Sequence, residues 1–551
     1  MEIINVTLND GSKHSVDFKT KVGDLQGLQK ETDFPFIAAL VNNQVRSLSY
    51  KLDVTSHVEF LTVESQIGKE IYRRSLSFLL AKACYDIYPD CRLVISHSLG
   101  HGYYYELIFP DKKDNKYIEK LYEKMHLAVG QNLPIVRKRM SYEDALQFFK
   151  ESGQQDKYNL LLHKNSAKII VHFCESYFEI CYRVLVENTK YLSCFGLKEY
   201  ENGFLMRFPR SINPGKLSPF CDERHLFHTY QEHKKWGKIL KVDSVGSLNN
   251  FIRNDEISDF IKIAEALHEK KVAGIADEIL KKKQSIKLIT IAGPSSSGKT
   301  TFSKRLMIQL RVNGLKPIGI SMDDYFLDRD KTPRDKDGKY DFESLKAIDV
   351  TLLNQNLLDL FSGKQIKLPI YNFKTGKREY REKTLKIDQN NIIIIEGIHG
   401  LNDELTYLLD KSIKYKIYVS ALTQINLDDT NRISTTDNRL LRRIVRDARF
   451  RGHDTLFTLQ MWPKVRQGEV ENIFPYQGTA DATFNSALDY EISVLKNFAV
   501  PLLKQVKSFH KLYYNAVRLL GFLDNFLPIL PDEVPLNSIL REFIGGSSFR
   551  Y

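Results

Sequence analysis

Apolar positions recur along this chain in several rhythms, and each rhythm predicts a different kind of element. Ile3, Val6 and Leu8, then Val16 and Phe18, alternate in a strand-like way on either side of Asn9-Asp10-Gly11, a sequence suited to a hairpin turn. A short helical stretch and further strands around Ala38 to Asn42 and Val58 to Val63 complete a small α+β module over residues 1–64. From Ile257 to Lys283 the apolar residues follow a helical period that ends in Lys281-Lys282-Lys283. Beyond it, Ile286-Lys287-Leu288-Ile289-Thr290-Ile291-Ala292 is β-branched and short enough to be a buried strand, and Phe302, Leu306 and Leu310 predict a helix behind it. Lys316 to Ser321 reads as a second strand. Ile392 to Ile395 are four consecutive isoleucines that need burial on both faces, as a central parallel strand provides. The expected fold class is therefore α/β, with a parallel sheet preceded by a small α+β module, and there is no internal repeat and no low-complexity tract.

The segment between the first buried strand and its helix carries the chemistry. Gly293-Pro294-Ser295-Ser296-Ser297-Gly298-Lys299-Thr300 fits the phosphate-binding pattern G-x-x-x-x-G-K-[ST]. The glycines let the backbone curl so that several N–H groups point at phosphate oxygens, Lys299 offsets the charge of the outer phosphates, and the Thr300 hydroxyl can ligate Mg²⁺. Thr301 extends the same turn. A nucleoside triphosphate and Mg²⁺ are the ligands this loop predicts.

Acids at strand ends extend this reading. Met322-Asp323-Asp324-Tyr325 follows the second strand, and the carboxyl ends of strands line the ligand crevice of such a sheet. Asp323 can accept a proton from an attacking hydroxyl or help to hold Mg²⁺, whereas Asp324 reads as a helix cap. Glu396 ends the isoleucine strand and is the expected Mg²⁺ partner opposite Thr300. Downstream, Arg439 to Asp454 concentrates arginines on a helix and the turn after it, and their forked donors suit a lid over a transferring phosphoryl group. A solvated basic helix is the alternative.

Composition narrows the class. A chain of 551 residues exceeds what one core serves, so two to four domains are expected. Hydrophobic residues at 42% and charged residues at 27% suit a globular protein, and no apolar run approaches membrane-spanning length. Met1 to Leu8 has neither a basic flank nor a signal-like apolar core, so the expectation is a cytoplasmic protein without membrane partners. Six scattered cysteines with no C-x-x-C pair fit no disulfide framework, and most of them read as buried thiols. The net charge of +12 suits an anionic ligand or RNA, and a generally basic surface accounts for it equally well.

Several resemblances add to this. Residues 1–64 resemble the TGS domain, a ubiquitin-like β-grasp unit at the front of threonyl-tRNA synthetases. Gly68-Lys69-Glu70-Ile71-Tyr72-Arg73-Arg74 and Gly100-His101-Gly102-Tyr103-Tyr104-Tyr105-Glu106 resemble the editing domain that follows TGS in those enzymes, so residues 65–225 read as an editing-like α+β domain. Both histidines of its H-x-x-x-H pair are missing, with Arg74 and Phe78 in their places. Cys181 matches the family's cysteine, but Val184 and Leu185 fill the region of its further histidine, so the reading is a scaffold without editing chemistry. His225, His228 and His233 lack metal-site spacing, and residues 226–283 read as a helical connector.

Residues 284–500 resemble the uridine kinase and phosphoribulokinase family through G-P-S-S-S-G-K-T-T, M-D-D-Y-F, Tyr340-Asp341-Phe342, Pro369-Ile370-Tyr371-Asn372-Phe373, I-I-E-G-I and R-R-I-V-R-D. The resemblance implies a doubly wound parallel sheet with helices on both faces, and transfer of the γ-phosphoryl of ATP to a hydroxyl of a small acceptor, most plainly a nucleoside. It implies Asp323 as base, with Lys299, Arg443 and Arg446 as catalytic partners and Arg451 beside Gly293, Ser295, Ser296, Ser297, Gly298, Lys299, Thr300 and Thr301 at the nucleotide. Thr300, Glu396 and Asp323 would hold the metal, and Asp341, Tyr371 and Arg443 the acceptor. One departure is Lys374-Thr375-Gly376-Lys377-Arg378, where uridine kinases place a base-contacting histidine. Residues 501–551 read as a C-terminal helical extension.

An RNA-associated regulator that uses the N-terminal domains is the second class. Its GTPase version lacks N-K-x-D, and the D-x-x-G at Asp335-Lys336-Asp337-Gly338 falls in a charged loop instead of at a strand end. The acceptor, any coupling between the halves and the oligomeric state are left open at this level.

Overall fold

Burial of the predicted apolar faces divides the chain into two units in a computed structural model, which describes residues 2–550 other than 31, 210–214, 336 and 337. One unit comprises Met1–Asp255, Gln424–Ile433 and Val500–Leu527, and the other Glu256–Thr423, Ser434–Ala499 and Pro528–Tyr551. The D-x-x-G sequence at 335–338 lies partly outside the described residues.

The first unit opens with a five-stranded sheet in the spatial order Lys13–Asp17, Ile3–Leu8, Ser56–Leu61, Ala38–Val41, Gln44–Arg46. Alternation sets its inner face: Ile4, Val6 and Leu8 are buried, whereas Ile3 is 66% exposed. The helix Gln66–Ile87 follows, capped by Ser65, whose hydroxyl accepts the Gly68 N–H at 3.0 Å. From Ser75 to Cys84 it is buried on every side, so it is a core helix and not an amphipathic surface one. Around it stand a four-stranded antiparallel sheet that includes Arg92–Leu99 and Gly102–Ile108, and a three-stranded sheet of Val136–Ser141, Lys168–Cys174 and Tyr177–Ile180. Arg224–Leu240 is helical as expected, while the side chains of His225, His228 and His233 lie outside the described residues.

A short hairpin, Asn426–Asp428 with Asn431–Arg432, joins this unit from far along the chain. The Asn426 side-chain amide donates to the Ile95 carbonyl at 2.6 Å, and the Ile95 N–H donates to the Asp429 carbonyl at 2.7 Å. Arg92 pairs with Asp429, and Arg74 donates to the Thr430 carbonyl at 3.2 Å. The stretch read as one extension from 501 also divides, because Val500–Leu527 packs with the first unit and Pro528–Tyr551 with the second.

The second unit is built on an all-parallel five-stranded sheet in the order Lys316–Ser321, Asn391–Glu396, Leu288–Ala292, Lys414–Ser420, Ala482–Asn485. Ile392 to Ile395 are at most 2% exposed, in keeping with a strand covered on both faces. Register decides what meets at the carboxyl edge: Glu396 lies opposite Ile291 on one side and Ser321 on the other. The phosphate loop, Glu396 and Asp323 therefore leave three adjacent strands at one edge. No helix among the described residues is long and apolar enough to cross a membrane.

Candidate active site

Leu288–Ala292 is wholly buried, and the chain turns at Gly293 into the helix Lys299–Val312. A side chain at Gly293 would meet the Val419 carbonyl at 2.0 Å, so only glycine fits there. Gly298 adopts φ +80°, in the left-handed region that L side chains rarely occupy. The Lys299 ammonium donates to the carbonyls of Gly293 at 2.8 Å and Pro294 at 3.3 Å. Burial lowers its pKa, against the raising influence of Glu396 and then Glu542. Thr300 Oγ1 donates to Glu396 Oε1 at 3.1 Å, while Glu396 Oε2 is buried without a hydrogen-bond partner. That donor pair, a hydroxyl and a carboxylate with a spare oxygen, fits a hard divalent cation such as Mg²⁺.

Burial pushes the Glu396 carboxyl up to about 7, with Lys299 opposing. The fold thus favours its protonated form: the resulting stability is full below the ordinary carboxyl value and is lost as pH rises through about 7. We expect the melting temperature of the ligand-free protein to fall between pH 5 and pH 8, and to fall less in Glu396→Gln. Equal slopes in calorimetric scans of the two proteins would refute this.

Asp323 follows the carboxyl end of the strand Lys316–Ser321 with its side chain exposed on one side, and desolvation on the others raises its pKa against the pull of Lys299. Asp324 is not the expected helix cap. The 3₁₀ turn Met322–Tyr325 has its N-cap at Ser321, three positions before Asp324, so both acids sit inside the turn.

The arginine helix, Thr435–Arg446, is not a solvated basic face. Arg439 and Arg442 are at most 1% exposed. Arg439 donates to the Ser295 carbonyl at 2.9 Å and pairs with Glu469, which also accepts the Ser295 N–H at 3.3 Å. Arg442 donates to the carbonyls of Ser296 at 3.3 Å and Ser486 at 2.8 Å, and pairs with Glu491. Two buried guanidinium–carboxylate pairs therefore hold the phosphate loop from beneath. Arg443 donates to Ser295 Oγ at 2.8 Å and, with Arg446 and Arg451, converges on the buried carboxylate of Asp447. Burial, aided by the neighbouring guanidinia, pushes Arg451 down to about 10, and an anion placed here would relieve that crowding.

Beside Asp341 the structure singles out a residue that the sequence reading passed over. Asp341 accepts the Glu343 N–H at 3.2 Å and so shapes the turn, while Glu343 is the acid that responds to the charges of Arg443, Lys299 and Asp323. Burial raises its pKa. The ring of Tyr371 is buried against Phe326 and Phe373, at centroid distances of 5.5 and 5.0 Å. Lys374 is exposed on a turn, Lys377 is exposed at the start of the strand Lys377–Leu385, and Arg378 pairs with Asp349 at 2.9 Å, so this stretch is structural and surface in character. His399 is a further buried histidine near Glu343, neutral because burial drives it down to about 4.

In the first unit, Cys181 is not alone as its spacing suggested. Antiparallel pairing of Lys168–Cys174 with Tyr177–Ile180 brings His172 Nε2 to 3.5 Å from the Cys181 sulfur. Burial lowers His172 to about 3 and raises the Cys181 thiol, so neither is charged near neutrality. Arg74 pairs with Glu179 at 2.8 Å, and Glu179 also accepts from Thr430 Oγ1 and the Asn431 amide, both at 2.7 Å. Hairpin side chains thus occupy the ground around Arg74 and Glu179.

Residues 288–493 match the phosphoribulokinase/uridine kinase family, a span that holds the phosphate loop, Asp323, Glu396 and the arginine helix. The chain is 28% identical over 262 residues to a threonine–tRNA ligase of Desulforamulus reducens, covering 44% of this chain and 40% of the ligase, with the likeness in the N-terminal region. It is 28% identical over 260 residues to a uridine kinase of Schizosaccharomyces pombe, covering 46% of this chain and 52% of that kinase. The chain thus spans about half or less of the length of these relatives. A solved structure described as a possible uridine kinase from Bacillus stearothermophilus aligns over 38% of this chain and 97% of its own at 22% identity, with a TM-score of 0.25. The chain thus carries a segment that matches the phosphoribulokinase/uridine kinase family model and an N-terminal region similar to threonine–tRNA ligases.

Proposed function

We propose that the second unit transfers the γ-phosphoryl group of ATP to a hydroxyl of a small acceptor, a nucleoside being the acceptor class that its similarity to uridine kinase favours. The observation that carries this reading is the meeting of Lys299, the Thr300–Glu396 pair and Asp323 at one edge of the sheet. Mg²⁺ held by Thr300 and Glu396, with Asp323 close to the same charges, would offset the charge of the phosphates. Asp323 takes the proton of the acceptor hydroxyl, and its raised pKa suits that task. Lys299, Arg443 and Arg446 stabilise charge on the transferring group, with Arg451 on the nucleotide side. Glu343 and Tyr371 face the acceptor, with Asp341 bracing Glu343 from behind.

The test is acceptor-dependent ADP release across nucleosides, pantothenate and sugar phosphates, with Lys299→Ala as control. Turnover with one acceptor class, reduced at least about 10²-fold in the control, is expected. Silence across the panel from folded protein would sink the reading. The N-terminal similarity to threonine–tRNA ligases supports a second reading, an RNA-associated regulator acting in the cytoplasm. RNA binding that persists at physiological salt, without acceptor-dependent turnover, would favour it.

A further inference from the structure

The C-terminal segment brings a carboxylate into the phosphate loop. Glu542, in the short helix Arg541–Ile544, accepts the Thr301 backbone N–H at 3.2 Å and the Thr301 hydroxyl at 2.7 Å through one oxygen, Oε2. Thr301 stands in the first turn of the helix Lys299–Val312, where backbone N–H groups have no partner within the helix and serve to bind phosphate.

Other contacts fix the segment in place. A side chain at Gly298 would meet Ile539 Cγ2 at 2.5 Å, so the segment closes directly on the loop. The Arg442 guanidinium lies 4.9 Å from the Phe543 ring, and Lys304 donates to the Arg550 carbonyl at 2.6 Å. Arg541 braces the segment internally by donating to the carbonyls of Pro531, Val534 and Gly545. The Glu542 charge also acts on both Lys299 and Glu396, so it belongs to the set of charges that a phosphate would face.

We propose that Glu542 is an internal competitor for the phosphate-binding amides, so that the docked C-terminal segment and bound nucleotide exclude one another and the segment acts as a latch on the donor site. This rests on the reading above that the loop binds ATP. A phosphate oxygen at the Thr301 N–H would face the Glu542 carboxylate across a single donor, and two anions there repel. Nucleotide therefore has to displace Glu542, whose release frees the segment from Gly298.

The experiment uses the full chain and reads binding, not turnover. ATP affinity is measured by calorimetry with Mg²⁺ present for the wild-type protein, Glu542→Gln and Lys299→Ala, and amide hydrogen exchange of residues 536–548 is followed in the wild-type protein with and without ATP. Glu542→Gln keeps the shape and removes the charge, so it should bind ATP about tenfold more tightly, a change worth about 1.4 kcal/mol. ATP should speed exchange at the Ser548 amide, which is bonded to the Leu536 carbonyl at 2.9 Å. Unchanged or weaker binding by Glu542→Gln, or exchange in 536–548 that ATP leaves alone or slows, would overturn the latch while the ATP-binding reading stands. Failure of ATP to bind either folded protein, or binding indifferent to Lys299→Ala, would remove the reading on which the latch rests.

Discussion

Replacing Asp323 by asparagine is expected to slow phosphoryl transfer by about 10³-fold and to leave ATP affinity within about twofold. The substitution keeps size and hydrogen-bonding reach but removes the carboxylate that the proposed function makes the acceptor of the hydroxyl proton. Asp323 is not bonded into the loop as Glu469 is, and it does not share a hydrogen bond with Thr300 as Glu396 does, so its loss leaves the phosphate cradle intact. Single-turnover rates at saturating ATP, together with separate calorimetry of ATP binding, distinguish the two effects. ATP affinity that falls in parallel with the rate would mean that Asp323 serves the nucleotide, not the acceptor.

Loss of the Arg442 side chain should be the most damaging change to stability, on the order of 3–5 kcal/mol for Arg442→Ala. Arg442 is fully buried and its partner Glu491 is 1% exposed, so truncation strands a buried carboxylate beside the Asn438 amide that also donates to it. Burial already raises the Glu491 pKa, and Arg442 is the main influence opposing that rise. Arg451→Ala supplies the contrast: Arg451 is half exposed and 3.7 Å from Asp447, so its removal should cost less than about 1 kcal/mol. Urea denaturation followed at a probe in the second unit measures both. A small loss for Arg442→Ala, comparable to that of Arg451→Ala, would show that the buried pair does not hold the loop.

How far the sequence could be read depended on whether the relevant partners were neighbours along it. The phosphate loop was legible because its chemistry fits within eight consecutive residues, and the isoleucine strand because four side chains in a row leave few other places for it. Gln44–Arg46, a three-residue strand of intermediate burial, offered no such run. The arginine helix was visible as a cluster of charge, but its burial was not, because Glu469 and Glu491 lie on later elements with no motif of their own. Glu343 and Glu542 were missed for the same reason: each is an ordinary acid until the fold sets it against Lys299 or Thr301. His172 escaped because strand pairing, not sequence spacing, puts it beside Cys181.

The hairpin at Gln424–Ile433 bears on how the chain is synthesised. Arg74 and Thr430 are 356 positions apart, and Arg92 and Asp429 are 337 apart, so the charged groups of the N-terminal unit leave the ribosome long before their partners exist. Val500–Leu527, also part of that unit, emerges later still. The unit whose sequence begins first is thus among the last to be completed, and its maturation waits for translation of nearly the whole kinase-like segment. A truncated chain ending at residue 255 would leave Glu179 paired with Arg74 but without Thr430 and Asn431, which makes an unfinished nascent chain a natural client for chaperones.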